Sequence, residues 1–179
     1  MKISARLVVI AIIAASLVSV FALKNVSAEE LSQEQLDRIS SNCVSIQGSL
    51  NQLHASDALL RVNRGQIYES ISSKLMGNFN GRLGNNGHDN KGLVVVLDQY
   101  QAALVDFRLN YSAYERQLAT TMKIDCTKQP AAFHNALVDA RTKRSVVHGD
   151  VIRLNQYIDD YRSAVNDFIL NFERVTETN

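Results

Sequence analysis

Charged side chains interrupt two apolar helical stripes in this chain. Asp57 and Arg64 lie one heptad apart on a face whose other positions are mostly leucine and isoleucine. Arg144 and His148 lie one helical turn apart, on or beside a second such face. Guanidinium groups form paired hydrogen bonds with carboxylate and phosphate oxygens. If the two faces meet, these residues could bind a small anion.

The chemistry open to these residues is limited by what the sequence lacks. No nucleophile stands beside a base, and there is no glycine-rich phosphate loop, H-E-x-x-H motif or pair of catalytic carboxylates. The 4 histidines are spread over different helices and a turn, too far apart to form a metal site. The polar segment 85–90 lacks the alternating carboxylates and final glutamate of an EF-hand loop. We expect no catalytic residue, no metal and no cofactor.

The elements that must position the charged residues are helices. Apolar residues recur at alternating spacings of three and four, which is typical of helices packed as a coiled coil or bundle. The pattern predicts helices over about residues 32–80, 91–124 and 130–175, with a glycine- and asparagine-rich turn at 77–92. The predicted fold class is all-α, a long antiparallel three-helix coiled-coil-like bundle preceded by a hydrophobic N-terminal signal or anchor helix.

Four tyrosines fall on core positions of the predicted second and third helices: Tyr100, Tyr111, Tyr114 and Tyr161. Tyrosine has an apolar ring and a polar tip, so it suits the edge of a core. We expect the rings to be buried and the hydroxyl groups to reach toward the surface.

The two cysteines, Cys43 and Cys126, test the helical arrangement. If the chain is exported, as the layout of its N-terminal segment indicates, its two cysteines favour a disulfide, although two free thiols or an intermolecular bridge are alternatives. The segment from Cys43 to Gly81, before the predicted turn, is nearly as long as the segment from Lys91 to Cys126, after it. If the first two helices form an antiparallel hairpin, both cysteines lie at the same level. The hairpin and an intrachain bridge therefore support each other.

The same comparison of segment lengths aligns the third helix with the first. The third helix begins near Pro130, at the level of Cys43, and runs parallel to the first helix. Arg144 lies two heptads after Pro130, and Asp57 lies two heptads after Cys43. The spacing therefore predicts a partly buried ion pair between Asp57 and Arg144.

A second polar layer is predicted one heptad further along. Arg64 on the first helix would come level with Asp150 on the third helix and Asp106 on the second. Polar residues inside a helical seam commonly fix register and partner choice at some cost in stability. We interpret both layers mainly as register devices, with a ligand pocket as the alternative and catalysis as the least favoured interpretation.

The N-terminal segment, residues 1–28, has the layout of a secretory signal peptide. Lys2 and Arg6 precede an apolar run at residues 7–23, and Val26-Ser27-Ala28 offers small or permitted residues before a cleavage site. We expect cleavage after Ala28. The alternative is an uncleaved signal anchor, in which case residues 7–23 would contact the membrane. In both cases the rest of the chain would lie outside the cytoplasm.

The part of the chain that follows the leader, residues 29–179, is about one domain in length. The leader carries three of the 19 basic residues and none of the 18 acidic ones, so this domain has a net charge of −2. Such a chain has no electrostatic attraction to nucleic acid or to anionic lipid. Nucleic acid is therefore not expected as a partner.

The leader, the cysteine pair and two helical segments together resemble exported α-helical proteins of candidate-phylum bacteria. The segments are LNQLHASDALLRVNRGQIYES at 50–70 and ALVDARTKRSVVHGDVIRLNQYIDDY at 136–161. No activity is known for that group, so the resemblance implies a compartment and adds nothing about mechanism.

The function that we expect is a structural or protein-interaction bundle of the bacterial cell envelope, without catalysis, whose partner is an envelope or cell-surface protein. The first alternative is a small-ligand or chaperone-type binding module that uses a groove between helices near Asp57 and Arg144. The second alternative is an enzyme. An apolar concave face would distinguish a binding module from a structural spacer.

Overall fold

The computed structural model describes residues 31–177, with side chains described through residue 174, and all regular structure in this part of the chain is helical. The elements in chain order are α1 (Gln33–Ser41), α2 (Cys43–Ser70), a π-helix (Ile71–Gly77), α3 (Asn78–Asn85), α4 (Lys91–Met122) and α5 (Pro130–Glu177). The all-α class is confirmed for these residues. The predicted leader, residues 1–28, lies outside them. None of the described helices is long and apolar enough to cross a membrane.

The first predicted helix, about residues 32–80, is interrupted twice. Asn42 separates α1 from α2 with φ −100° and ψ 10°, and its side-chain amide donates a hydrogen bond to the Arg38 carbonyl at 2.8 Å. Asparagine commonly bonds to nearby backbone groups in this way, which weakens a helix interior. The second interruption is the π-helix, whose wider turn changes which side chains face the core.

The spacing of the buried residues changes near the π-helix. Ile67 continues the heptad spacing of Asp57 and Arg64 along the apolar face, yet its exposed fraction is 53%. The buried residues follow a four-residue repeat instead: Tyr68, Ser72, Met76 and Asn80. On an α-helix such a repeat drifts by about 40° per step, because one turn takes 3.6 residues. A turn of π-helix opposes that drift and keeps the four side chains on one face.

Two tyrosine hydroxyls hold the ends of this segment. Tyr100 donates a hydrogen bond to the Tyr68 carbonyl at 3.0 Å, and the Tyr161 hydroxyl lies 3.2 Å from the Met76 carbonyl and 2.6 Å from Asn80 Oδ1. Gly77 is the last residue of the π-helix, and glycine suits this position because a Cβ there would lie 3.2 Å from the Ser72 carbonyl oxygen. Burial raises the pKa of Tyr161 to about 12, so its hydroxyl keeps its proton as a donor at physiological pH.

The predicted turn at 77–92 is shorter than expected, because α3 extends to Asn85 and the chain reverses within residues 86–90. Gly87 has φ +75°, a left-handed conformation that glycine adopts without a steric penalty. The His88 amide donates to the Leu83 carbonyl at 3.0 Å, and the Asn90 side chain donates to the Asn80 carbonyl at 2.7 Å. These hydrogen bonds close the end of α3 onto the start of α4.

Contacts between helices give their directions. Along α2 the paired residue numbers rise while those on α4 and the turn after it fall, so α2 and α4 are antiparallel. The pairs are Cys43 with Cys126, Asp57 with Tyr114 and Tyr68 with Tyr100. Gln117 contacts Ala136 while Asn110 contacts Asp150, so α4 and α5 are also antiparallel.

The buried side chains form two clusters with a gap between them on α2. One cluster surrounds the disulfide and includes Leu50, Tyr114 and Leu118, and the other surrounds the π-helix and includes Tyr100 and Leu154. Between Asp57 and Tyr68, no side chain of α2 is buried. Leu60, which lies between Asp57 and Arg64 on the apolar face of the heptad pattern, has an exposed fraction of 51%. A groove lies beside this part of α2.

Candidate functional site

The disulfide closes one end of the helical hairpin. Cys43 and Cys126 are bonded, with their Cα atoms 5.4 Å apart, and both side chains are buried. The Ser40 hydroxyl donates a hydrogen bond to the Thr127 carbonyl at 2.7 Å, and the Gln47 amide donates to the Ile124 carbonyl at 3.4 Å. Covalent and polar contacts thus attach the start of α2 to the turn after α4.

Asp57 and Arg144 meet in the structure. Arg144 Nε lies 2.9 Å from Asp57 Oδ2 and Nη2 lies 3.2 Å from Oδ1, which is a bidentate pair. The Tyr114 hydroxyl also donates to Asp57 Oδ2, at 2.7 Å. The exposed fraction of the side chain is 10% for Asp57 and 52% for Arg144. The carboxylate is therefore the buried member of the pair, and the guanidinium group reaches solvent.

The three side chains hold one another in fixed protonation states. Burial by itself raises the pKa of Asp57, but hydrogen bonds from Arg144 and Tyr114, together with the charge of Arg144, hold that pKa below its ordinary value. Burial and the hydrogen bond to Asp57 raise the pKa of Tyr114. At neutral pH Asp57 is therefore ionised, Tyr114 is protonated and Arg144 is charged.

This arrangement predicts how stability depends on pH. Because folding lowers the pKa of Asp57, the ionised carboxylate stabilises the fold fully above its unfolded pKa, near 3.8, and the stabilisation is lost as pH falls from there through the lower folded value. We expect the difference in unfolding free energy between the native protein and Asp57→Asn to be constant from about pH 7 to pH 5 and to shrink below about pH 4. Urea unfolding at a series of pH values measures it.

The matched control is Asp159→Asn, which removes an exposed carboxylate paired with Arg162 on the same helix. That variant should differ little from the native protein at any pH, because exposed pairs contribute little. A difference for Asp57→Asn that stays constant down to pH 2 would contradict the lowered pKa.

The second polar layer has a different basic member from the predicted one. Asp106 and Asp150 are joined by Arg153, whose Nη1 lies 3.2 Å from Asp106 Oδ2 and whose Nη2 lies 3.4 Å from Asp150 Oδ1. The Asp150 contact is an ion pair without hydrogen-bond geometry, and the other Asp150 oxygen accepts a hydrogen bond from Asn110 at 2.8 Å. The sequence feature that could have predicted this pair is the spacing of Asp150 and Arg153, which lie three positions apart on one helix. Arg64 is exposed and lines the groove instead.

The groove between α2, α4 and α5 has a volume of ≈ 700 Å³. Four buried aromatic side chains lie in a row along its inner side: Tyr68, Phe107, Tyr111 and Tyr114. Successive ring centroids lie 5.7, 6.3 and 6.0 Å apart. The basic side chains that line the groove are Arg61, Arg64, Arg141, Arg144 and His148. Asp57 is the acidic side chain among the described residues that line it.

The basic residues lie on the two helices that flank the aromatic surface. Arg61 and Arg64 are on α2, whereas Arg141, Arg144 and His148 are on α5. The Arg61 guanidinium carbon lies 5.1 Å from the Tyr111 ring centroid, a cation–π contact that places this charge over the aromatic surface. The groove thus combines an apolar inner surface with positive charge on both sides.

Two smaller features bear on alternative sites. A second cavity of ≈ 280 Å³ lies on the disulfide side of the Asp57–Arg144 pair and is lined mainly by apolar side chains such as Leu50 and Leu53.

Within residues 31–177, no cluster of three or more His, Cys, Asp or Glu side chains could hold a metal ion. The expectation that the protein uses no metal or cofactor stays a prediction.

No protein-family model, curated protein or solved structure matches the chain. The candidate site therefore rests on the geometry of the groove and of the charges around it.

Proposed function

We propose that this protein is a non-catalytic binding module, a disulfide-bonded three-helix bundle that holds a small ligand in the groove between α2, α4 and α5. The observation that carries the proposal is the open groove of ≈ 700 Å³ beside residues 58–67, where α2 buries no side chain. Ligand pockets in proteins commonly measure about 300–1,000 Å³, with an apolar lining and a few polar groups. The groove matches this description.

The ionisable groups of the groove support binding and not catalysis. Arginine stays charged at neutral pH, and Asp57 is held ionised by two hydrogen-bond donors. His148 is the one histidine that lines the groove, and a single exposed histidine does not make a nucleophile–base pair.

We place this module outside the cytoplasm, in the bacterial cell envelope. Residues 1–28 would direct export, and the module would be free after cleavage at Ala28 or tethered through residues 7–23. The disulfide supports an oxidising compartment, because such bonds seldom persist in the cytosol. The resemblance to exported helical proteins points the same way.

A second candidate is the structural or protein-interaction role. The observation that favours it is a set of large apolar side chains on α2 and α4 with exposed fractions of 50% or more, among them Leu59, Val62 and Leu109. Exposed apolar residues that recur at helical spacing can pack against another helix. An envelope or cell-surface protein would then be the partner.

The binding proposal predicts that a bulky side chain in the groove blocks a neutral ligand. We expect the protein to bind the uncharged dye Nile red with a saturable rise in fluorescence, and Ser145→Trp, at the edge of the groove, to weaken this binding by at least about tenfold. Fluorescence titration measures the affinity for Nile red, and unchanged helical circular dichroism shows that the variant is folded.

Ser163→Trp is the matched control, because Ser163 is exposed on the same helix but does not line the groove. The control should bind Nile red as the native protein does. Equal weakening in both variants, or no saturable binding by the native protein, would overturn the groove as a binding site and leave the interaction role as the better proposal.

A further inference from the structure

We propose that the groove selects an anionic amphiphile, a ligand with one acidic head group on an elongated apolar body. This inference rests on the proposed binding function and specifies the chemical class of the ligand. Four arginines line the groove, against one aspartate. Asp57 is already paired with Arg144, so the charges of Arg61, Arg64 and Arg141 are left uncompensated by the residues that line the groove.

The positive charge is local to the groove. Residues 29–179 carry 16 of the 19 basic residues and all 18 acidic residues, so the domain as a whole is slightly acidic. A cleft lined by one sign of charge on low-dielectric walls concentrates its field and attracts ligands of the opposite sign. The groove is therefore electrostatically different from the surface around it, and an anion would be drawn to it in preference to a neutral or cationic molecule.

The arginines are free to contact a ligand. Within residues 31–177, the ion pairs of the structure include Arg144 but none of Arg61, Arg64 and Arg141. Arg61 is held over the Tyr111 ring, whereas Arg64 on α2 and Arg141 on α5 are exposed. Because Asp57 lies level with Arg144, Arg64 and Arg141 differ in level by ten residues, about 15 Å along the groove, and each guanidinium group can bind an anionic head group by itself.

The inner surface of the groove fits an apolar body. Rings from four aromatic residues line it, and Leu60, Val147 and Val151 add aliphatic surface. On α5 the lining runs over two heptads, from Arg141 to Asn155, which corresponds to about 21 Å along the helix axis. Such a length favours an extended chain or a row of fused rings over a compact anion such as free phosphate.

Competition for an anionic fluorescent probe tests the charge selectivity. The probe is 1-anilinonaphthalene-8-sulfonate, added to the oxidised protein, and the competitors are dodecanoate, dodecanol and dodecyltrimethylammonium below their micelle concentrations. We expect saturable probe binding that dodecanoate displaces and that the alcohol and the cation displace at least about tenfold less well, because a charge-assisted hydrogen bond is worth about one decade of affinity. Ser145→Trp should weaken binding of the probe as it weakens binding of Nile red.

Two charge variants identify the residues that confer selectivity. Arg64→Gln and Arg141→Gln should each weaken dodecanoate binding more than they weaken Nile red binding, by about tenfold for the arginine that contacts the carboxylate, because Nile red carries no charge. Arg116→Gln is the matched control, since Arg116 is exposed on α4 and does not line the groove. The Arg116→Gln variant should change neither dodecanoate binding nor Nile red binding.

The outcomes separate this inference from the proposed function. Nile red binding that Ser145→Trp abolishes, combined with equal competition by the anion, the alcohol and the cation, would overturn anion selectivity and keep the binding function. Probe binding that Ser145→Trp leaves unchanged would place the anion elsewhere and overturn the inference. Competition by dodecanoate would support a lipid-derived carboxylate as the ligand. If dodecanoate fails to displace the probe but both arginine variants weaken probe binding, an aromatic anion would be supported instead.

Discussion

Replacing both Cys43 and Cys126 with alanine is expected to lower the free energy of unfolding by about 4 kcal/mol, because the disulfide closes a loop between residues 83 apart and restricts the unfolded chain. Single domains are typically stable by about 5–15 kcal/mol, so the variant should be marginal. Alanine avoids placing a hydroxyl group at two buried positions. Denaturant unfolding followed by helical circular dichroism measures the loss.

The native protein under reducing conditions is the matching sample, since reduction opens the same loop without changing any residue. It should lose a similar amount of stability. Hydrogen exchange should increase most in the cluster around Leu50 and Leu118, which packs beside the disulfide. A loss below about 1 kcal/mol in both samples would contradict the loop-closure argument, and a disulfide-linked dimer on a non-reducing gel would contradict an intrachain bond.

The all-α class could be predicted because it depends on the local spacing of apolar residues. The shared level of the two cysteines could be predicted because it depends on the number of residues along each helix. Helical spacing of apolar residues is set within a few turns of chain. A hairpin then fixes which residues share a level, since each residue adds the same rise on both helices. Counting residues in the same way predicted that Asp57 lies opposite Arg144. The four tyrosines on core positions are buried, as predicted. For Tyr100, Tyr114 and Tyr161, however, the hydroxyl group bonds inside the fold instead of reaching the surface.

The buried face of the chain after Asp57 could not be predicted because two patterns of residue spacing compete there. Ile67 and Ile71 continue the heptad repeat, while Tyr68, Ser72 and Met76 follow a four-residue repeat. Hydrophobicity favours the first pattern. The structure adopts the second, because hydroxyl groups from α4 and α5 donate to carbonyls at the two ends of the π-helix. Those partners are far away in sequence, so no local pattern identifies them.

The groove lies just before that change of stripe. Leu60 and Arg64, between the buried residues Asp57 and Tyr68, line the groove and are exposed instead of packing tightly against a neighbouring helix. The heptad pattern had placed Arg64 against Asp150, whereas Arg153 pairs with that residue in the structure. The error in the sequence-based prediction thus lies where the candidate binding site is, as expected when a functional region departs from regular packing.

Arg144→Leu is expected to destabilise the fold more than Asp57→Leu does. Removing Arg144 leaves the carboxylate of Asp57, whose side chain is 10% exposed, with Tyr114 as its remaining donor. Breaking a buried pair in this way costs about 3 kcal/mol. Removing Asp57 instead releases a guanidinium group that already reaches solvent and leaves one tyrosine hydroxyl unpaired, which costs about 1–2 kcal/mol. Denaturant unfolding of both variants measures the order.

The double variant isolates the interaction between the two side chains. Asp57→Leu combined with Arg144→Leu should lose about 2 kcal/mol less than the sum of the single losses, because the charge that makes Arg144→Leu costly is then absent. Tyr114→Phe should cost about 1.5 kcal/mol, the value of a hydrogen bond to a charged group. Arg162→Leu, which breaks an exposed pair with Asp159, should cost less than about 0.5 kcal/mol. Additive losses, or a larger loss for Asp57→Leu than for Arg144→Leu, would show that the buried carboxylate does not depend on its arginine.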